Sequence, residues 1–203
     1  MTTNARITAT MLYNFVQCPH RPTMDMFCNP AERDEINPFI QLLWEKGHAH
    51  EAEIIGGLNL PIVNLSGKSG DEKERLTSEA MEHKAPLIYS GRISAADLLG
   101  DPDLLRLEGN KYVAGDIKSG SGEEGHEDSS KLKKHYGVQI ALYTDILERK
   151  GLSASRRPFV WDIHGEEVIA SRRRSRTSSV LAPRDVSPAN RRLPASMKSF
   201  DHL

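Results

Sequence analysis

Residues 100–118 read GDPDLLRLEGNKYVAGDIK, and this stretch decides the fold. Gly109 and Asn110 form a two-residue turn signal between two runs that are rich in apolar residues, a pattern typical of tight antiparallel hairpins. With these two residues as the loop, Glu108 pairs with Lys111, and each earlier residue pairs one step further out. The stretch therefore predicts a β-hairpin with a defined register.

The predicted register brings two carboxylates together. Continued outward from the turn, it places Asp103 directly opposite Asp116, and it places Lys118 on the face of Asp116 because side chains alternate along a strand. Opposed carboxylates repel each other and weaken a sheet, so we expect positive charge between them, and a divalent metal ion is the obvious candidate. The alternative is a solvated strand face on which Lys118 pairs with Asp101, which lies opposite it in the same register.

Two carboxylates and a lysine on one face fit a magnesium-dependent site that cleaves phosphodiester bonds. Carboxylates hold the hard metal ion, which polarises the phosphate and lowers the pKa of the attacking water. The lysine can orient that water or offset charge that builds up on the phosphoryl oxygens. The pattern therefore predicts Asp103, Asp116 and Lys118 as catalytic residues.

The order Pro102-Asp103, hairpin, Asp116-Ile117-Lys118 resembles the signature of the PD-(D/E)XK nucleases. More narrowly, the chain resembles their RecB-like branch, which includes the nucleases associated with CRISPR adaptation. The matches run in order from about Ile7 to Val168, although the acid-x-lysine position holds aspartate rather than the commoner glutamate. The resemblance implies an α/β fold, with a small mixed sheet flanked by helices, and a deoxyribonuclease of DNA repair or processing that uses Mg²⁺ or Mn²⁺.

The resemblance also implies further metal ligands. The RecB-like branch carries a helix in which a glycine is followed three residues later by a metal-ligating histidine, and here Gly47 precedes His50 by that spacing. The backbone carbonyl of Ile117 is a further plausible ligand beside Asp103 and Asp116. The alternative is that His48 and His50 are ordinary polar residues of an exposed helix.

A glutamine and a tyrosine on a later helix are predicted to contact the substrate. Gln139 and Tyr143 are four residues apart and so share a helical face, and in the RecB-like branch such a pair lines the site. The alternative is a helix with Tyr143 in the core and Gln139 in solvent. Positive charge just before this helix is expected to meet the phosphates of single-stranded DNA or duplex ends, and it comes from Lys131, Lys133, Lys134 and His135.

The N-terminal segment 13–19 resembles the opening helix of this branch, where a Cys-Pro step is common. Some members bind an iron–sulfur cluster through four cysteines, but this sequence holds only Cys18 and Cys28. We therefore expect no iron–sulfur cluster, and we interpret the first cysteine as a buried thiol and the second as incidental.

Periodicity and capping residues predict the remaining elements. We expect helices over residues 8–17, 39–55, 73–83 and from Ser129 or Ser130 to Arg149, and strands over 62–63, 87–89 and 159–163. Apolar residues available for packing on the second helix are Phe39, Ile40, Leu43, Ala49, Ala52 and Ile55. The polar, glycine-rich segment 119–128 is expected to be a mobile loop.

The length and charge distribution predict a folded domain over residues 1–169, which the resemblance implies is a nuclease domain, and a basic, disordered tail over 170–203. The tail holds eight lysines and arginines against two acidic residues, so the rest of this −1 chain carries −7. No apolar run approaches the roughly 20 residues of a membrane span. With no targeting segment at the start of the chain, we expect a cytoplasmic protein. Similar bacterial proteins often continue into further domains, so a partner protein or a missing C-terminal domain is expected.

Two other functions stay open on sequence alone. One is a catalytically weak or inactive module that keeps the nuclease fold and binds nucleic acid or serves a structural role. The other is a metal-dependent phosphohydrolase that acts on small molecules.

Overall fold

The computed structural model describes residues 6–120, 123–124, 131–163 and 167–169, with the backbone alone at 123, 124 and 131. The described chain is a mixed α/β structure, as predicted. Its α-helices are α1 (Ala9–Gln17), α2 (His20–Phe27), α3 (Pro38–Gly57), α4 (Gly70–Glu82) and α5 (Lys134–Arg149). Its strands are β1 (Ile7–Thr8), β2 (Ile62–Asn64), β3 (Leu87–Tyr89), β4 (Ile93–Ala95), β5 (Leu98–Gly100), β6 (Leu104–Glu108), β7 (Lys111–Ile117), β8 (Glu123–Glu124), β9 (Lys131–Leu132), β10 (Phe159–Trp161) and β11 (Glu167–Ile169).

The hairpin forms the centre of a six-stranded sheet with the order β11-β10-β7-β6-β3-β2. The β10–β7 and β2–β3 pairs are parallel and the others antiparallel, so the sheet is mixed. Strands β6 and β7 pair from Glu108 with Lys111 to Leu104 with Gly115. This is the predicted register, and it is confirmed. Gly109 has a φ of +63° in the turn, a value that favours glycine.

Alternation along these strands separates two apolar cores. The face that carries Tyr112 and Ala114 packs with buried residues of α4 and α5. The opposite face carries Val113 and Ile117 and packs with residues near the C-terminal end of α3. Helices therefore cover both faces of the sheet. Asp116 follows the parity of Ala114, and so it lies on the face that α5 covers.

A second, three-stranded sheet with the order β1-β5-β4 was not predicted from the sequence. Each of β4 and β5 has only three residues, too few for an alternating pattern. Strand β1 runs parallel to β5 and leads directly into α1. This small sheet therefore brings the N-terminal end of α1 beside the residues that precede Asp103.

Most predicted helices are confirmed, with changes at the ends. Helix α1 begins after Thr8, whose Oγ1 accepts a hydrogen bond from the N–H of Met11 at 3.2 Å. Helix α2 was missed. Helix α5 begins at Lys134 rather than at the predicted serines, which lie outside the described residues, and before it β9 pairs with β8. Most of the predicted loop at 119–128 and the tail at 170–203 also lie outside the described residues.

The predicted packing of α3 is wrong for most of its length. Phe39 is 63% exposed, Ile40 and Leu43 are exposed as well, and the helix has no fully buried residue. A helix of 20 residues is about 30 Å long, and only Ile54 and Ile55 reach the core beneath the sheet. Cys18 is likewise exposed rather than buried, as is Cys28. None of the helices in the described ranges is long and apolar enough to cross a membrane.

Candidate functional site

The two carboxylates meet at the open end of the hairpin. Oδ2 of Asp103 accepts a hydrogen bond from the backbone N–H of Ile117 at 2.8 Å, and its backbone carbonyl accepts one from Ser90 at 2.7 Å. Asp116 lies within β7 and is only 2% exposed. Both residues lie just beyond the last hairpin pair, Leu104 with Gly115, so the strand register itself brings the carboxylates together.

Lys118 provides positive charge beside these carboxylates. Its Nζ lies 2.5 Å from Oδ2 of Asp116. The alternative partner, Asp101, instead forms an ion pair with Arg92 at 3.3 Å, so the interpretation of a simple Lys118–Asp101 surface pair is wrong. The lysine is held at the carboxylates by attraction within a partly buried cluster.

The charged groups in this cluster shift one another's pKa values. Burial, and then the neighbouring Asp116, raise the pKa of the Asp103 carboxyl well above its usual range, while Lys118 opposes the shift. Burial lowers the pKa of Lys118, but Asp116 and Asp103 outweigh it, so the net effect raises that pKa. Two acids sharing a single lysine leave the cluster short of positive charge, which favours uptake of a proton or of a cation.

Helix α5 forms a wall of the cavity above this cluster. The cavity has a volume of about 180 Å³, and it is lined by Thr8, Ala9, Thr10, Leu99, Asp101, Asp103, Asp116, Lys118, Gln139 and Tyr143. The predicted residues Gln139 and Tyr143 therefore line the same cavity as the predicted carboxylates and lysine.

The two α5 residues differ in their surroundings. Tyr143 is 3% exposed, as a core residue would be, and its Oη donates a hydrogen bond to the carbonyl of Asp101 at 3.3 Å. Burial, followed by the charges of Asp116 and Asp103, raises the pKa of Tyr143. Oε1 of Gln139 is buried without a hydrogen-bond partner, so the alternative of a solvated glutamine is wrong. An unpaired amide oxygen beside the cavity is free to accept a hydrogen bond from a ligand or water.

Helix α3 approaches the strand ends from the other side. A methyl group added at Gly47 would lie 3.7 Å from Oγ of Ser119, the residue after Lys118. One turn further on, Nε2 of His50 is buried and has no hydrogen-bond partner, whereas His48 is exposed. Of the two histidines, only His50 thus has the unsatisfied buried nitrogen that ligation would explain.

Glu51 is a site residue that the sequence analysis did not identify. Its Oε2 accepts a hydrogen bond from Oη of Tyr89 at 3.2 Å, and its charge contributes to the raised pKa of Asp103. Burial, Glu51 and Asp103 together raise the pKa of Tyr89 to about 12. In the sequence, the only indication of a role for Glu51 was its position directly after His50. Its proximity to the hairpin depends on how α3 packs.

These donors fit a hard divalent ion in an open site. Mg²⁺ typically takes one or two carboxylates and keeps several waters, and Asp103 and Asp116 supply two carboxylates. The N–H and carbonyl of one strand residue point to the same side, so the carbonyl of Ile117 is directed towards the Asp103 side of β7. Within the described ranges, no three histidine, cysteine or acidic side chains form a closed metal-holding group. Water and substrate would complete such a site.

The predicted phosphate-binding lysines lie around the start of α5. Lys133 immediately precedes the helix and Lys134 is its exposed first residue, while Lys131 lies in β9. The first turn of α5 contains no acidic residue. Since the N-terminal end of a helix carries partial positive charge, Lys133 and Lys134 add to a positive potential there.

Compared with known proteins, the chain matches no protein-family model and no curated protein.

Proposed function

We propose that this protein is a Mg²⁺- or Mn²⁺-dependent DNA nuclease that acts in DNA repair or processing. The observation that carries the proposal is the hairpin register, which brings Asp103 and Asp116 together, with the ammonium of Lys118 on Asp116. The cavity above them is also lined by Gln139 and Tyr143, the residues expected to contact substrate. Five residues chosen from the sequence thus share one cavity.

Each residue has a distinct role in the proposed reaction. Asp103 and Asp116, with the Ile117 carbonyl and His50, would hold the metal ion, which when bound polarises the phosphate and acidifies its attacking water. Lys118 remains protonated because of its raised pKa, so its ammonium would donate hydrogen bonds to that water or to the phosphoryl oxygens. Gln139 would accept a hydrogen bond from the substrate through its unpaired Oε1.

The charge distribution favours a polyanionic substrate only at the rim of the cavity. The carboxylates within would repel a phosphate, so binding of nucleic acid there requires a cation. Lys133 and Lys134 at the start of α5, and Lys131 before them, would attract the strand on either side of the reacting phosphate. Such an enzyme would meet its substrate in the cytoplasm, alone or with a partner protein.

Degradation of end-labelled DNA tests the proposal. Single- and double-stranded oligonucleotides are incubated with the wild-type protein in Mn²⁺, in Mg²⁺ or in EDTA, with an RNA of the same sequence in parallel. We expect cleavage with metal and none in EDTA. Removal of the acid in Asp116→Asn, or of the amine in Lys118→Ala, should reduce the rate at least about 100-fold. Lys111→Ala, at the far end of β7, is the matched control and should cleave normally.

A module that binds nucleic acid without cleaving it is the second candidate. It is favoured by the ion pair at 2.5 Å, in which Lys118 already occupies an oxygen of Asp116. DNA binding in EDTA without metal-dependent cleavage would support it. Hydrolysis of nucleotides but not of polymers would instead indicate a small-molecule phosphohydrolase.

A further inference from the structure

A tyrosine that no prediction included contacts the lysine of the candidate site. Tyr136 is a partly exposed residue of the first turn of α5. Nζ of Lys118 lies 5.3 Å from the centroid of its ring, and Nζ of Lys133 lies 5.6 Å from the same centroid. Both distances are within the range of about 6 Å in which an ammonium is attracted to an aromatic face.

The ring of Tyr136 packs against the core and contacts its neighbour His135, which α1 contacts in turn. The His135 ring meets it edge-on with centroids 4.4 Å apart, and Tyr13 of α1 meets His135 at 4.9 Å. Nε2 of Gln17, also on α1, lies 3.1 Å from Nδ1 of His135. The backbone N–H of Tyr136 in turn donates to the carbonyl of Lys133 at 3.0 Å. The ring therefore lies beside the contact that His135 makes between α1 and α5.

Unlike the carboxylates, the ring of Tyr136 attracts an ammonium group without carrying a charge. Burial raises the pKa of Tyr136, so the phenol is neutral at physiological pH and attracts an ammonium through its ring alone. A ring face provides no oxygen for a metal ion and donates no proton to a phosphate. It can therefore hold Lys118 close to Asp116 without competing for the groups that the reaction needs.

We propose that Tyr136 is a positioning residue that holds the ammonium groups of Lys118 and Lys133 for cleavage of a nucleic-acid strand. The proposal rests on the proposed nuclease function. Lys118 then serves the reacting phosphate and Lys133 a neighbouring one, and the shared ring attracts both ammonium groups. In this role the aromatic ring attracts the ammonium groups, and the hydroxyl of Tyr136 is not required.

Nuclear magnetic resonance tests the contact without relying on catalysis. A tyrosine ring shifts the signals of methylene groups above its face upfield, so the ε-methylene signals of Lys118 and Lys133 should be shifted in ¹³C-labelled protein. Lysine-to-arginine variants at the two positions assign the signals. We expect Tyr136→Phe to keep both shifts and Tyr136→Leu to abolish both. Unshifted signals in the wild-type protein would overturn the proposal.

Cleavage kinetics test the role. With a labelled single-stranded oligonucleotide and Mn²⁺, Tyr136→Leu should lower kcat roughly ten-fold through Lys118 and raise KM through Lys133. Tyr136→Phe should recover most of the activity. Phe39→Leu, which truncates an exposed aromatic residue elsewhere, is the control for non-specific effects. Thermal unfolding of each variant separates lost activity from lost structure.

The outcomes separate this proposal from the nuclease function. If the wild-type protein cleaves and Tyr136→Leu, folded, cleaves as fast, the positioning role is wrong and the nuclease function stands. Equal losses in Tyr136→Phe and Tyr136→Leu would also overturn it, because the hydroxyl and not the ring would then matter. If the wild-type protein cleaves no polymer, the nuclease function fails and the positioning role fails with it.

Discussion

Oδ2 of Asp103 accepts a hydrogen bond from the backbone N–H of Ile117 at 2.8 Å. Asp103 directly precedes β6 and Ile117 ends β7, so both lie beyond the last pair of the ladder, Leu104 with Gly115. The side-chain oxygen therefore takes the place of a main-chain acceptor and ends the hairpin. Burial, and then the neighbouring Asp116, raise the pKa of the same carboxyl. Asp103 thus stabilises the sheet through the hydrogen bond that one of its oxygens accepts. Its negative charge, buried beside Asp116, destabilises the folded state.

The first prediction separates these two effects. Asp103→Asn keeps an acceptor for Ile117 and removes a negative charge, so in EDTA it should be more stable than the wild-type protein by about 1 kcal/mol. Asp103→Ala leaves the N–H without a partner and should be less stable than Asp103→Asn by about 1–3 kcal/mol. Urea unfolding measures both. Asp97→Asn, at an exposed acid paired with Arg149, should change little, and a less stable Asp103→Asn would contradict the argument.

The second prediction concerns pH. Because its pKa is raised, folded Asp103 keeps its proton to a higher pH than the unfolded chain, whose aspartates titrate near the ordinary value of 3.8. The folded state then binds more protons in the window above 3.8, so this residue costs stability as pH rises through that window. The stability advantage of Asp103→Asn over the wild-type protein should therefore grow as the pH rises above the ordinary value of 3.8.

The difference in stability between the wild-type protein and Asp103→Asn isolates the contribution of Asp103. The pKa of Glu167 is lowered, chiefly by its hydrogen bond with Arg106, so it contributes stability that is lost on acidification. That contribution is the same in both proteins and cancels in the difference. Lys118, whose raised pKa starts from 10.5, titrates above this window. Urea unfolding in EDTA at several pH values measures the difference, and a constant difference would show that Asp103 does not titrate there.

The hairpin register was predictable because it depends on local signals. The Gly109-Asn110 turn sets the pairing, and a period of two then determines which side chains share a face. Asp103, Asp116 and Lys118 could therefore be grouped from sequence alone. Gln139 and Tyr143 share a helical face for the same kind of reason, although only the fold shows that this face meets the hairpin.

The missed features depend on contacts between distant parts of the chain. Glu51 and Tyr136 reach the site because α3 and the start of α5 approach the ends of the strands, and no local pattern encodes that approach. The exposure of Phe39 has a related cause, since an apolar helix predicts burial only if a partner surface extends along it. Strands as short as β4 and β5 are formed by tertiary pairing rather than by their own residues.

The third prediction tests the packing behind Tyr143. A methyl group added at Gly100 would lie 2.6 Å from Cδ1 and 2.8 Å from Cε1 of the tyrosine ring. Gly100→Ala must displace this ring, which lines the candidate cavity, and should cost roughly 1–3 kcal/mol of stability. Gly56→Ala in α3 is the matched control, because nothing lies within 4 Å of its added methyl group. In a helix this change should stabilise by about 0.5–1 kcal/mol, and equal effects of the two substitutions would contradict the packing argument.

The fourth prediction concerns the metal. His50 and His48 lie on the same helix, but only His50 has a buried ring nitrogen without a partner, whereas His48 is exposed. If His50 is a ligand, His50→Ala should weaken Mn²⁺ binding at least about ten-fold, and His48→Ala should leave it unchanged. Asp116→Asn should weaken binding at least as much, because it removes a carboxylate from the proposed pair.

Isothermal titration calorimetry with Mn²⁺ and no nucleic acid provides the measurement, so the result does not depend on cleavage. Removing a buried, unpaired nitrogen also relieves a desolvation cost, so His50→Ala should not destabilise the metal-free protein through lost hydrogen bonding. Weaker Mn²⁺ binding together with unchanged stability in EDTA is thus the signature of a ligand. If both histidine variants bind Mn²⁺ as tightly as the wild-type protein, the site is limited to the hairpin carboxylates, and His50 is a polar residue of α3 without a role in the metal site.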